Sequence, residues 1–388
     1  MKRVFLIVLD SFGIGNAPDA EKFGDLGSNT LATISKSPEF SVPNMKKLGL
    51  FNIDGVTCME KADEPQGAFG RLWEVSTGKD TTTGHWEISG IIQKKPFPTF
   101  PDGFPDEIIQ EFSRRTQRGV LCNRPYSGTE VMEDYGEEHI RTGALIVYTS
   151  VDSVFQIAAH ESIVPPEELY RYCRIARELL CGEYGVGRVI ARPFAGEPGH
   201  FERTAKRHDF SIVPSAETMM DVLQKNGFAT RAVGKINDIF AGKGISDTVS
   251  IVSNEDGMEK TFLRQQEDFT GLCFVNLVDF DMVYGHRNDV EGYAKAAAVF
   301  DRQLGEFLKN MRPEDVLMIT ADHGCDPGFP GTDHTRESIP LLIAGEGIRA
   351  GVNLGTRRCF SDIGKTILDI FEVPGDIAGT SFWEMIRK

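Results

Sequence analysis

The side chains best suited to chemistry in this chain are carboxylates and imidazoles that end apolar runs. The clearest set is Asp322-His323-Gly324 with Asp333-His334-Thr335, directly after the strand-like Val316-Leu317-Met318-Ile319-Thr320. Upstream, Leu272 to Val278 runs into Asp279-Phe280-Asp281, with His286 five residues beyond Asp281, and the chain opens with Val4 to Leu9 stopping at Asp10. In an open α/β sheet, ligands bind outside the carboxyl ends of the strands, so acids hundreds of residues apart converge there. Asp10, Asp281, His286, Asp322, His323 and His334 are therefore expected to form one site. Mixed Asp/His sets suit Mn2+ or Zn2+, and a carboxylate-rich half tolerates Mg2+. Two such ions about 4 Å apart polarise a phosphoryl oxygen and activate a nucleophile for in-line displacement.

A nucleophile is available in the polar, turn-rich segment Ser76 to His85, which reads as a functional loop and offers the hydroxyls of Thr81, Thr82 and Thr83. A hydroxyl needs a metal or base to take its proton, and composition does not choose among the three. Taken singly, each acid has a plainer reading. A strand-end Asp is commonly a turn former or helix cap, and a lone His286 would be a solvated loop residue. What lifts the set above that reading is Asp322-His323 followed eleven residues later by His334, on glycine-rich loops after a strand. Asp279 and Asp281 flank Phe280 in the same phase, so the pattern admits only one of them as a ligand. His139, His160, His200 and His208 lack acidic strand ends nearby and read as structural. Gly13-Ile14-Gly15 lacks the third glycine of a dinucleotide loop, and Gly78-Lys79 is followed by Asp80, so neither nucleotide motif holds.

These residues need a sheet to aim them. Apolar runs alternate with helical patterns from Ser215 onward. A helix carrying Met219, Val222 and Leu223 is expected to be capped by Ser215, and another from Glu291 to Met311 carries Ala297, Phe300, Leu304, Phe307, Leu308 and Met311 on one stripe. The alternation predicts an α/β fold with a mostly parallel central sheet and helices on both faces. Three prolines within Pro96 to Pro101 mark a boundary. Beyond it, residues 97–213 have their own strands (Leu145 to Thr149, Arg188 to Arg192) and a helix after Pro165-Pro166 with Leu169, Cys173, Ala176 and Leu180 on one face. The expected organisation is a catalytic core of residues 1–96 and 214–388 with an inserted α+β domain at 97–213, hinged by two linkers.

At 388 residues, two domains are favoured over one. Forty-two basic against fifty-seven acidic residues give a formal charge of −15, which argues against nucleic acid as a partner. A small anionic substrate remains compatible with local basic clusters. The opening apolar stretch ends at Asp10, too short for a signal segment or a membrane span, so no membrane partner and a cytoplasmic location are expected. Seven scattered cysteines without a Cys-x-x-Cys pair suit reduced thiols.

The motifs Val8-Leu9-Asp10-Ser11-Phe12-Gly13-Ile14-Gly15, Gly78-Lys79-Asp80-Thr81, Asn276 to Asp281, Gly285-His286-Arg287, Ala321-Asp322-His323-Gly324 and Gly331 to Glu337 together resemble the prokaryotic phosphopentomutase family of the alkaline phosphatase superfamily. The match runs to Gly379-Thr380-Ser381-Phe382. This resemblance implies an alkaline phosphatase-like core with a cap domain, and two Mn2+ per chain. One ion would be held by Asp281, His286 and His334, the other by Asp10, Asp322, His323 and a nucleophilic threonine that falls on Thr81. It further implies sugar-phosphate contacts at Asp152, Arg188, Ile190, Arg203 and Lys235. A sugar bisphosphate activator is implied too, glucose 1,6-bisphosphate or ribose 1,5-bisphosphate. The implied reaction moves phosphate between C1 and C5 of ribose or deoxyribose, on pentose phosphates as small-molecule partners, and a monomer is expected. The rival readings are a phosphatase, phosphodiesterase or other mutase of the superfamily, and, in another class, a non-catalytic metal-binding protein.

Overall fold

Arg3–Leu9 is buried along its whole length, which is why it appears in the sequence as an unbroken apolar run rather than an alternating one. The computed structural model describes residues 2–150 and 153–388 and places this strand near the middle of an eight-stranded sheet. The order across the sheet is Asp247–Val249, Ala229–Val233, Gly271–Leu277, Arg3–Leu9, Asp315–Thr320, Ile339–Ala344, Ala68–Leu72 and Asn353–Arg357. Only Ile339–Ala344 runs antiparallel to its neighbours, so the sheet is mostly parallel.

Register puts the acids at one edge. Val8 lies opposite Thr320 and Leu9 opposite Leu277, so Asp10, Asp322 and the Asp279 to Asp281 turn leave the sheet together. The other end of the same strands is pinned by a buried pair, with Arg3 Nε donating to Asp315 Oδ1 at 2.8 Å and Arg3 Nη2 to Oδ2 at 2.7 Å. This planar two-point contact fixes the strands' stagger, because a slip of one residue would strand both charges in the core.

Flanking helices complete the unit. Val290–Lys309 buries Ala294, Ala297, Phe300, Leu304 and Phe307. It stops two residues short of the expected Met311, since Arg312 precedes Pro313 and that position disfavours helical backbone. Met219–Lys225 is capped by Thr218 instead of Ser215. The Thr218 side chain accepts from the Asp221 N–H while Asp221 accepts from the Thr218 N–H, a reciprocal capping box that a serine three residues earlier cannot form.

The chain divides into two compact units, Met1–Lys95 with Pro214–Lys388, and Pro96–Val213. The inserted unit has its own mixed sheet, ordered Val120–Pro125, Leu145–Thr149, Val154–His160, Arg188–Glu197 and His200–Arg203, with His208–Ser211 also paired to Arg188–Glu197. Strand alternation gives it two apolar layers. Leu145, Val147, Phe155 and Ile157 pack with Leu169, Cys173 and Ala176 of the helix Pro166–Leu179, whereas Ile146, Tyr148 and Ala158 pack with Val131 and Met132. Among the described residues, no helix is long and apolar enough to cross a membrane.

Candidate metal centre

The threonine segment is not a loop throughout. Thr81–Ile88 is a helix, capped by Asp80, whose Oδ1 accepts the Thr83 N–H at 3.1 Å and whose Oδ2 accepts the Thr83 hydroxyl at 2.6 Å. Its interior is buried although it is polar, because it packs directly on the strand end at Asp322. A Cβ at Gly84 would collide with the Asp322 carbonyl oxygen, so only glycine permits that approach. The three hydroxyls are thereby distinguished. Thr83 is committed to the cap, Thr82 is buried, and Thr81 Oγ1 lies 3.2 Å from His323 Nε2.

All six acids and histidines expected at the site gather at this edge. His323 Nε2 is 3.4 Å from both Asp10 Oδ1 and Asp322 Oδ2. Asp281 is 3.2 Å from His286 Nε2 through Oδ2 and 3.3 Å from His334 Nε2 through Oδ1. Potential ligand atoms of Asp281, His286 and His334 lie within 4.8 Å of one another, and so do those of Asp10, Asp281 and His323. Asp281 thus faces both groups, which the sequence pattern did not indicate. Asp279 turns elsewhere, accepting the Asn254 N–H at 2.7 Å.

Hydrogen bonding makes these atoms fit for cations. Each imidazole uses Nδ1 to donate to a backbone carbonyl: His286 to Thr332 at 2.6 Å, His334 to Lys79 at 3.0 Å and His323 to Gly324 at 3.1 Å. That choice leaves three Nε2 lone pairs facing inward, and the Nε2 atoms of His286 and His334 come within 3.1 Å. Asp10 Oδ1, Asp281 Oδ1 and Asp322 Oδ2 are buried and accept no hydrogen bond. Buried carboxylate oxygens are costly unless paired or coordinated, so a divalent cation is the partner this donor set fits. The second oxygens are already held, Asp10 Oδ2 by Asn276 Nδ2 at 2.8 Å and Asp322 Oδ1 by the Ser11 N–H at 3.0 Å.

The electrostatics agree. Burial and the neighbouring Asp322 push the Asp10 carboxyl above its ordinary range. Burial works the same way on Asp281, but His334 and His286 together hold it well below. Burial opposes charge on His323, yet Asp322, Asp10 and Asp281 raise it well above the usual imidazole range. The imidazoles thus stabilise the charge on Asp281 and on Asp322, whose carboxyl is also lowered, while of the three Asp10 alone is pushed up.

Two connectors escaped the sequence reading. Arg336, buried, donates to the Gly78 carbonyl at 2.7 Å, to the Glu74 carbonyl at 2.9 Å and to the Glu74 carboxylate, tying both ends of the segment before Thr81. Glu87, also buried, accepts the N–H groups of Val75 at 2.9 Å, Ser76 at 2.6 Å and Phe360 at 3.0 Å. Their only sequence signal was position, one beside the His334 motif and the other six residues after Thr81.

The remaining expected contacts fall in both units. Lys235 directs Nζ to Met282 Sδ at 3.6 Å, next to Asp281. In the inserted unit, Arg188 is 3.6 Å from Asp209, Ile190 is buried in its strand, and Arg203 Nε donates to the Gly128 carbonyl at 3.3 Å. Asp152 lies outside the described residues.

Residues 2–374 match the metalloenzyme superfamily. The chain is 61% identical over 389 aligned positions to a phosphopentomutase of Lachnoclostridium phytofermentans, covering all of both chains. It belongs to the phosphopentomutase family. A phosphopentomutase of Acetivibrio thermocellus is 54% identical, over 98% of this chain and 99% of the relative. Among solved structures, a phosphoglycerate mutase of Leishmania mexicana shares 13% identity with a TM-score of 0.50, covering 98% of this chain and 97% of that one. That likeness concerns the fold, the alkaline phosphatase-like core, and family membership rests on the close relatives.

Proposed function

We propose that this chain interconverts ribose 1-phosphate and ribose 5-phosphate, and their deoxyribose analogues, through a phosphothreonine at Thr81 and two Mn2+ ions. The observation that carries the reading is the Thr81 hydroxyl at the first turn of its helix, 3.2 Å from His323 Nε2 and beside buried carboxylate oxygens that accept no hydrogen bond. Asp281, His286 and His334 would hold one ion, and Asp10, Asp322, His323 and Thr81 the other. When bound, the ions supply the charge that lowers the hydroxyl's pKa and offsets charge on the transferred group.

The chain's residues divide the remaining work. Phosphorylated Thr81 gives its phosphoryl group to the free hydroxyl of a pentose monophosphate. The Thr81 Oγ–P bond breaks as the new sugar O–P bond forms, and the sugar hydroxyl proton ends on the freed Thr81 oxygen. The bisphosphate then returns its other phosphoryl group to Thr81. A sugar bisphosphate, glucose 1,6- or ribose 1,5-bisphosphate, would prime the enzyme in the same way. Arg336 and Glu87 keep the segment around Thr81 in place through both transfers. A phosphate on Thr81 would meet the N-terminal end of the helix, where backbone N–H groups favour anions. Sugar-phosphate recognition is assigned to Asp152, Arg188, Ile190 and Arg203 of the inserted unit, acting as a water-excluding cap, and to Lys235. The enzyme is proposed to act as a cytoplasmic monomer.

The test incubates the protein with Mn2+, ribose 5-phosphate and a trace of glucose 1,6-bisphosphate, following products by phosphorus NMR and the Thr81 peptide by mass spectrometry. Ribose 1-phosphate and a phosphorylated Thr81 are expected, both lost in Thr81→Ala. Free phosphate without ribose 1-phosphate would make the chain a phosphatase instead.

A further inference from the structure

Thr81 and Asp322 come from elements distant in sequence, and one side chain touches both. His85 is completely buried, with Nδ1 2.9 Å from the Thr81 carbonyl oxygen and 3.1 Å from Asp322 Oδ2. Both neighbours are acceptors, so Nδ1 carries the proton. The shorter approach is to the Thr81 carbonyl, and Asp322 Oδ2 keeps lone-pair density directed toward His323 Nε2 at 3.4 Å. The imidazole lies nearly parallel to Phe274, with ring centroids 5.8 Å apart and planes 29° apart. Its Nε2 is buried with no hydrogen-bond partner.

That last fact separates a packing role from another one. A phenylalanine or leucine would fill the slot against Phe274 without burying an unpaired nitrogen, which costs stability. Histidine brings something neither of them has, a donor at Nδ1. We propose that His85 is a positioning residue for phosphoryl transfer. Its Nδ1–H fixes the first helical turn, which carries the Thr81 hydroxyl, relative to the Asp322 carboxylate. Asp322 is then held by the Ser11 N–H on Oδ1 and faced by the His85 Nδ1–H, 3.1 Å from Oδ2. Residues behind a metal ligand commonly set its orientation in this way. The inference rests on the proposed function, in which Thr81 is the nucleophile and Asp322 a ligand.

The test compares His85→Phe, which keeps a ring against Phe274 without the donor, His85→Leu as a second donor-free variant should the first not fold, and His85→Asn, whose amide nitrogen lies about where Nδ1 was. Three readouts are taken: Mn2+ affinity and stoichiometry of the substrate-free enzyme by calorimetry, the rate of phosphate appearance on Thr81, and kcat and KM for ribose 5-phosphate. A folded donor-free variant is expected to lose about 10- to 100-fold in kcat and in the affinity of one Mn2+, with KM within about 3-fold. His85→Asn should recover at least about ten-fold of that loss. The proposal is overturned if the donor-free variant keeps wild-type Mn2+ affinity and phosphorylation rate, or if folded His85→Asn is as impaired as it. A wild-type enzyme that takes up neither Mn2+ nor phosphate at Thr81 would overturn the proposed function itself, a result distinct from both.

Discussion

The two halves of the candidate centre are built differently although a few ångströms separate them. Asp10, Asp322 and His323 are 2%, 0% and 1% exposed and sit on the ends of adjacent buried strands. Asp281, His286 and His334 sit on short turns, the π-type turn Phe280–Tyr284, the single 3-10 turn Gly285–Arg287 and the loop before Ile339, and the His286 side chain is 37% exposed. The deep half inherits the rigidity of the sheet. The shallow half is open to water at His286, where water can stand in for a missing ligand. Under the proposed function, a site that holds a nucleophile still while substrates exchange profits from such a division, with precision behind Thr81 and access in front of it.

The largest effect should follow from breaking the deep half. Asp322→Asn keeps the shape but removes the charge that balances His323, and no water can reach a fully buried position to replace it. We expect kcat to fall by about 10^3-fold or more, equivalent to about 4 kcal/mol of lost transition-state stabilisation, with tight Mn2+ binding reduced to one ion per chain. Steady-state kinetics and calorimetry check this. A loss under ten-fold would mean that Asp322 serves the fold and not the reaction.

An intermediate effect is expected in the shallow half. His286→Ala should weaken one Mn2+ by about 10- to 100-fold, and excess Mn2+ should restore most of kcat, because water occupies the exposed position. The same excess should do nothing for Asp322→Asn. If metal rescues both variants equally, or neither, the difference in burial has no bearing on how the two halves work.

The same contrast explains what could be read from the sequence. Strand-end candidate ligands were legible because a strand buried on both faces is an unbroken apolar run, and the first acid after it must lie at the sheet's edge. Asp10 and Asp322 are of this kind, whereas Asp281 comes two residues after Asp279, the first acid beyond its strand. The helix carrying Thr81 was not legible as a helix. Its residues Thr82 to Glu87 are buried on all sides, so there is no apolar stripe, and it forms because Asp80 caps it and Gly84 permits contact with Asp322. Buried polar connectors such as His85, Glu87 and Arg336 have no periodicity to betray them, since each is placed by partners remote in sequence. The choice between Asp279 and Asp281 was equally hidden, because it depends on Asn254 taking the former. The resemblance to a family supplied Thr81, and the structure separates it from Thr82, which is buried, and from Thr83, which is committed to the Asp80 cap.

The smallest effect on the site concerns its scaffold. Glu337 touches no candidate ligand but props the loops behind the deep half, accepting from the Gly15 N–H at 3.0 Å, the Thr30 N–H at 3.0 Å, the Thr30 hydroxyl at 2.8 Å and the Thr335 hydroxyl at 2.7 Å. Burial pushes its carboxyl up to about 7, against the pull of these donors. The folded state therefore holds this proton more tightly than the unfolded chain, where a glutamate titrates near 4.3. The stabilisation is complete below the unfolded value and is lost as pH rises through about 7, a contribution on the order of a few kcal/mol at most. In metal-free protein, the Tm of the wild type should fall by a few degrees more than that of Glu337→Gln between pH 5 and pH 8. The slope matters and the absolute Tm does not, because the glutamine amide would face donors at every pH and lower the variant's stability uniformly. Parallel Tm curves would show that Glu337 stays ionised among its four donors, which would make the deep half's scaffold as indifferent to pH as it is closed to water.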